Sequence, residues 1–169
     1  MYEQNYCFMC GSRLGLKNCG DEGMVKYCEK CGKFRFPIYS SAVSMVVFNR
    51  ERSKILLIQQ YGKKDNILVA GYINKGETPQ QALVRELREE VSLDAAEWNY
   101  NASSYFEKTD TLIHNFVVVS ESEDFRTKKG EVDNAQWFTI RESMKSIKPD
   151  SLAEAFLLKA LRDRGFAKN

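Results

Sequence analysis

Apolar and polar positions change rhythm along the chain, and each change marks a different kind of structure. Up to about Phe34 the sequence is short of apolar residues in any sustained pattern and rich in Gly and Cys. Such a segment cannot bury enough surface to fold on hydrophobicity alone, so a metal has to stabilise it. Arg35-Phe36-Pro37-Ile38-Tyr39 reads as an extended connector, with Pro37 opposing helix. From Ser41 the texture turns to β-branched runs, and Ala42–Phe48, Ile55–Gln60 and Ile67–Ile73 predict strands, the first two joined by a loop at Asn49–Ser53. A helix is predicted from Pro79 to Val91. Thr78 caps it, Pro79 suits its first turn, and Gln81 completes a capping box. Further strands are expected at Thr111–Val119 and Ala135–Ile140. A last helix is expected from Ser151, with Glu154 completing a second capping box, to about Arg164. Mixed strands with two helices and no internal repeat imply an α/β domain of helix, sheet and helix behind a small N-terminal module.

Composition narrows the function classes. With 169 residues, 43% apolar and 28% charged, the chain suits one globular core and a satellite. A net charge of +2 calls for neither nucleic acid nor a membrane surface. The apolar runs are strand-sized, too short to span a bilayer, and the N-terminus shows no secretory signal. The expected location is the cytoplasm, where cysteines stay reduced. Four of the five cysteines form two Cys-x-x-Cys pairs, Cys7/Cys10 and Cys28/Cys31, each followed by glycine. That spacing points to a four-thiolate structural zinc site with no open position for catalysis. Cys19 is left without a partner. The residues around the pairs carry both signs of charge, which argues against a nucleic-acid role for the module.

The helix at Pro79–Val91 carries the chemistry. Glu86, Glu89 and Glu90 are spaced i, i+3 and i+4, which places three carboxylates on one face. A hard divalent cation, magnesium or manganese, takes such oxygen ligands and offsets their repulsion. An Arg/Glu-rich helix is more often a solvated face laced with ion pairs such as Arg85 with Glu89. The loop ahead of it shifts the balance, because Gly71, Gly76 and Glu77 lead a tight turn into the acidic helix, where metal and phosphate can meet.

The segment from Gly71 to Leu93 resembles the Nudix box. Gly71, Glu77, Arg85, Glu86, Leu87, Glu89, Glu90 and Leu93 stand where that family has its Gly, Glu, Arg, Glu, aliphatic, Glu, Glu and aliphatic residues. Ser92 departs from the family's glycine, a residue that eases a left-handed turn. The resemblance implies that Glu86 and Glu90, with the carbonyl of Ala70, hold magnesium or manganese. It implies that Glu89 is a further ligand or the base that activates water, and that Glu77 and Arg85 brace the loop. Glu131, in a stretch similar to the family's Glu-Val-x-x-Ala-x-Trp-Phe, is implied as an additional ligand. His114, the only histidine, is left out of the mechanism.

A zinc ribbon ahead of a Nudix domain is similar to the NADH pyrophosphatase type, without its large preceding domain. The implied organisation is a ribbon at residues 1–36 and a hydrolase domain at 37–169. The family's proline-rich specificity motif is replaced by Ser103–Thr109, where Tyr105 and Phe106 are the rings left to stack on a base. Ala153 stands where the family's alanine contacts nucleotide. The implied activity is metal-dependent hydrolysis of a nucleoside diphosphate linked to a group X, as in ADP-ribose, NADH or FAD, by a possible homodimer. The competing expectation is a binding module that senses nucleotide in the Nudix pocket or recognises nucleic acid or protein through the ribbon.

Overall fold

The computed structural model describes residues 3–164. The N-terminal module is a three-stranded antiparallel sheet of β1 (Gly15–Asn18), β2 (Met24–Cys28) and β3 (Lys33–Arg35). Its strands are largely exposed, and its small buried cluster is Cys7, Leu14 and Cys28, packed with Cys10 and Cys31. The interior of this module is therefore made of sulfur, as its poor apolar content requires.

The remaining described residues build a mixed six-stranded sheet. Its strands are β4 (Ser40–Phe48), β5 (Lys54–Gln60), β6 (Val69–Tyr72), β7 (Ala95–Phe106), β8 (Thr111–Ser120) and β9 (Val132–Thr139). The order is β7-β8-β4-β5-β9, with β6 also paired to β4. β4 and β8 run parallel from Ser40 opposite Thr111 to Phe48 opposite Val119, and the other pairings are antiparallel. β4 forks: Ala42–Met45 pair with β6, while Val47 and Phe48 pair with β5.

Among the described residues three helices cover the sheet: α1 (Pro79–Val91), α2 (Ile140–Ser146) and α3 (Leu152–Asp163). Alternation along the strands explains why both faces need covering. Val43, Met45, Val47, Leu56, Ile58, Phe116 and Val118 pack with Ala82, Leu83, Leu87 and Val91 of α1. Their neighbours Val46, Phe48, Ile55, Leu57, Val117 and Val119 pack with Phe156, Leu157, Ala160 and Leu161 of α3. The near-continuous apolar runs in the sequence are strands buried on two sides.

α1 has the predicted bounds and both hydrogen bonds of its Thr78/Gln81 box. It ends at Ser92 in the left-handed region (φ 55°), the turn for which the family's glycine is suited. At α3, Ser151 accepts from Glu154 N–H as expected, but the Glu154 carboxylate takes the N–H of Asp150 instead of that of Ser151. Asp150 has a φ of 52°, and its N–H donates to that carboxylate at 2.8 Å. β7 and α2 were not expected from the sequence. Among the described residues no helix is long and apolar enough to cross a membrane.

Candidate functional site

Two clusters of ligand-type side chains stand out. In the ribbon, the sulfurs of Cys7, Cys10, Cys28 and Cys31 all lie within 4.8 Å of one another. Cys7 Sγ is 3.9 Å from Cys31 Sγ, and Cys10 Sγ is 3.5 Å from Cys28 Sγ. Tetrahedral zinc with Zn–S near 2.3 Å spaces its sulfurs by about 3.8 Å. The quartet therefore has the size of that ion. Gly11 and Gly32 adopt φ of 71° and 64°, closing the turns in which their N–H groups donate to the carbonyls of Cys7 and Cys28. Burial opposes ionisation of Cys7, but Arg35, which donates from Nε at 3.2 Å, and two backbone amides bring its thiol down to about 6. Cys19 lies outside the cluster. Replacing Cys28, fully buried among the four, with serine is expected to abolish a stoichiometric zinc and unfold the ribbon. Cys19→Ser should keep both zinc and stability. Elemental analysis beside thermal unfolding checks this, and full zinc content in Cys28→Ser would contradict the ligand set.

The second cluster lies where α1, β6, the end of β5 and the loop before β9 meet. A cavity of about 460 Å³ is lined there by Glu86, Glu89, Glu90 and Glu131, together with Ala70, Gly71 and Gln60. The structure thus brings together all five sequence-derived positions for a hard cation. Arg85 Nη1 donates to Glu86 at 2.6 Å and to Glu89 at 3.2 Å, and Lys128 pairs with Glu131 at 2.9 Å.

Glu90 differs from the others. It sits with the buried side of α1 at 5% exposure, although its spacing groups it with Glu86 and Glu89. Its Oε1 accepts from Gln60 Nε2 at 2.7 Å, and its Oε2 is buried with no hydrogen-bond partner. Burial raises its pKa to about 7; the Gln60 hydrogen bond and the nearby Ala70 backbone amide oppose the rise, and the Glu86 and Glu131 charges add to it. A buried acceptor without a donor is costly, and a cation is the partner that suits it.

Gly71 explains how Glu86 fits. A Cβ on Gly71 would stand 2.0 Å from the Glu86 carboxyl carbon, so the absence of a side chain makes room for that carboxylate. Sequence reading placed Gly71 in the turn ahead of the helix and in the Nudix-like box but not against Glu86, since that contact is tertiary. Beside it, Arg85 grips Glu77 with two bonds of 2.8 Å and the Tyr72 carbonyl at 2.9 Å. These bonds, with the Asn74 N–H at 2.9 Å, hold the Glu77 carboxyl down at about 2. Glu77 and Arg85 are thereby a brace between loop and helix.

Other sequence-derived positions lie elsewhere. Tyr105 lines a separate groove beside the ribbon, with Phe36, Ile38 and Tyr39, and hydrogen-bonds Asp110. Phe106 ends β7, three residues before Thr109, which does line the acidic cavity. Ala153 packs against the core on the α3 side, and His114 lies in β8 between β4 and β7. Gln60, Tyr61, Tyr72, Thr109, Thr111 and Lys128 line the acidic cavity without having been singled out from the sequence. The signal for Gln60 was present: it follows Leu56 and Ile58 on the same face of a strand.

Comparison with known proteins agrees with this geometry. Residues 38–158 match the NUDIX domain. The NAD-capped RNA hydrolase NudC of Pseudomonas aeruginosa is 28% identical over 137 residues, which cover 80% of this chain and 48% of that protein. Nudix hydrolase 19, chloroplastic, of Arabidopsis thaliana is 28% identical over 84% of this chain and 34% of its own length. The chain thus spans about half the length of the first of these curated relatives and about a third of the second. A NUDIX hydrolase crystal structure from Nitrosomonas europaea superposes with a TM-score of 0.70 at 20% identity, covering 96% of this chain and 94% of that one. The NUDIX domain of Shewanella oneidensis NrtR, complexed with ADP ribose, gives 0.64 at 17% identity, covering 82% of this chain and 93% of that one. With the matched domain covering most of the chain and enclosing the acidic helix, this chain belongs to the NUDIX family.

Proposed function

We propose that the chain is a divalent-metal-dependent diphosphatase acting on a nucleoside diphosphate linked to a group X. The observation that carries the reading is Glu90, whose buried Oε2 lacks a donor beside a Glu86 for which Gly71 makes space. Glu86, Glu90, Glu131 and the Ala70 carbonyl are the proposed ligands of magnesium or manganese. An ion held there would supply charge neutralisation on the diphosphate and activation of the attacking water. Glu89 is the proposed base: it is half-exposed and held only by Arg85 at 3.2 Å, so its carboxylate is free to take the proton of water. The phosphoanhydride bond breaks as the water oxygen bonds to phosphorus, leaving two monophosphates. Lys128, the one cation among the described residues lining the cavity, is suited to a phosphate oxygen, and the exposed rings of Tyr61 and Tyr72 are suited to stacking on a base. Zinc is the proposed occupant of the cysteine quartet, in a ribbon at 1–36 ahead of a hydrolase domain at 37–169. The apolar groove at Phe36, Ile38 and Tyr39 gives a homodimer a surface to bury.

The raised pKa of Glu90 gives a signature of this assignment. Its folded pKa is about 7 against 4.5 for the free group, so its contribution to stability is full below 4.5 and lost as pH rises through 7. The ionised form then costs the fold about 3 kcal/mol, which a cation offsets. Manganese binding at about pH 6 should therefore release close to one proton, and at about pH 8 almost none. Calorimetry in buffers of different ionisation enthalpy measures this. Equal proton release at both pH values would remove Glu90 from the ligand set.

The group X is set by loops around the cavity, and here the stretch Ser103–Thr109 matters. It forms the end of β7 and a 3-10 turn at Glu107–Thr109, and of this stretch Thr109 lines the acidic cavity. Without prolines to stiffen it, it offers little to a second ring. ADP-ribose is expected to be hydrolysed at least as efficiently as NADH. An RNA capped by a dinucleotide, the substrate class in the names of several relatives, presents the same diphosphate and belongs in the same panel. Comparing kcat/KM for NADH, NAD, ADP-ribose and FAD under one metal condition tests the point. A preference for NADH of about a hundredfold, or 2.7 kcal/mol, would show that another segment selects the second ring.

A further inference from the structure

β5 and β9 pair in register from Lys54 opposite Thr139 to Gln59 opposite Asn134, and then the ladder slips. Gln60 stands opposite Val132, which leaves Asp133 as an extra residue on β9. Bulges of this kind bend a strand and redirect the groups beside them. Here the slip does two things at once. The Asp133 side chain accepts the Gly62 N–H at 2.7 Å, pinning the turn at Tyr61 and Gly62, where both φ values are positive (56° and 70°). It also brings the residues just before Val132, including Glu131, to the cavity that Gln60 lines.

Gln60 itself continues the row of Leu56 and Ile58 that faces α1. At 8% exposure its amide has lost most of its water, and its Nε2 donates to Glu90 Oε1 at 2.7 Å. A hydrophobic residue would serve that position better if packing were its only duty. A donor there fixes the Glu90 carboxylate in one rotation, with Oε1 occupied by Gln60 and Oε2 left without a donor. Groups that orient a ligand in this way change metal affinity by about 10–100-fold when removed.

We propose that Gln60, held by the β5–β9 bulge, is a positioning residue that orients Glu90 for the divalent ion. The inference rests on Glu90 being a ligand of that ion, and the test separates the two. Manganese binding to the full, zinc-loaded chain is measured calorimetrically for the wild type, Gln60→Met and Glu90→Gln. Gln60→Met keeps the volume and removes the donor, and it is expected to bind manganese about 10–100-fold more weakly. Its kcat should return toward the wild-type value once manganese saturates, a split that damage to the reacting groups would not give. Loss of binding in Glu90→Gln with wild-type affinity in Gln60→Met would overturn the role of Gln60 alone. Wild-type affinity in Glu90→Gln would overturn the ligand assignment on which it rests. Should Gln60→Met fail to fold, nitrogen NMR of the wild-type Gln60 side chain during magnesium titration decides the matter. The expected result is a shifted, slowly exchanging amide that stays bonded when the ion binds, and an amide that becomes freely exchanging contradicts the proposal.

Discussion

Glu90→Gln should lose on the order of a thousandfold in turnover while becoming more stable to heat. The loss follows from orientation. The glutamine oxygen takes the Gln60 hydrogen bond that Oε1 accepts now. Its NH2 group then occupies the place of Oε2 and presents donors to a cation. Removing one ligand forfeits several kcal/mol of charge stabilisation in the transition state. The gain in stability follows from burial. A carboxylate pushed up to about 7 by desolvation is a cost to the ion-free fold above that pH, and a neutral amide avoids it. A rise of several degrees in the unfolding midpoint at about pH 8, measured without divalent ion, is expected beside the lost activity. Glu86→Gln should lose comparable activity without the stability gain, because Glu86 is already paired with Arg85. Near-normal turnover of either variant in saturating magnesium or manganese would sink the metal-site assignment.

Gly71→Ala should be almost as damaging to activity and nearly silent in stability. Its Cβ would overlap the Glu86 carboxylate, with Oε1 and Oε2 at 2.2 and 2.3 Å. The obstructed atoms are the far end of a flexible side chain, so Glu86 can swing away at little cost. Gly71 has no positive φ, so alanine brings no backbone strain. The expected result is a loss of about 100-fold or more in kcat with a stability change within about 1 kcal/mol. Because the damage acts through Glu86, adding Gly71→Ala to Glu86→Gln should cost little more. Fully additive losses in that double variant would mean that Gly71 acts by some other route.

How much of this was legible in the sequence depends on how local each cause is. α1 was readable to the residue, because Thr78, Pro79, Gln81 and the spacing of Leu83, Leu87 and Val91 all lie within it. The doubly buried strands β4, β5 and β8 announced themselves as apolar runs. β7 did not. Its sequence, Ala95 to Phe106, is rich in Ala, Asn and Ser and half-exposed, and it is a strand because β8 offers it a full edge to pair with. α2 is only seven residues long and begins where a strand ends, so its N-cap, Thr139, was hidden inside a predicted strand.

The same division holds at the site. The carboxylates of Glu86, Glu89 and Glu90 were visible as a helical spacing, and the cysteine pairs as a ligand spacing. The burial of Glu90 against Gln60, the space left by Gly71 and the arrival of Lys128 all depend on segments far apart in the chain. Tyr105 illustrates the limit from the other side. Its ring was expected near substrate, but the structure places it in the groove beside the ribbon, with its hydroxyl on Asp110.

One measurement reaches the central claim directly. The full chain is incubated with ADP-ribose and manganese in ¹⁸O-labelled water, and the products are weighed by mass spectrometry. The account predicts AMP and ribose 5-phosphate, with one labelled oxygen on the phosphate of one of the two, and no products when the divalent ion is omitted. ADP-ribose that binds but is recovered intact and unlabelled at saturating manganese, across the panel of dinucleotides as well, would contradict it and identify the chain as a nucleotide-binding module.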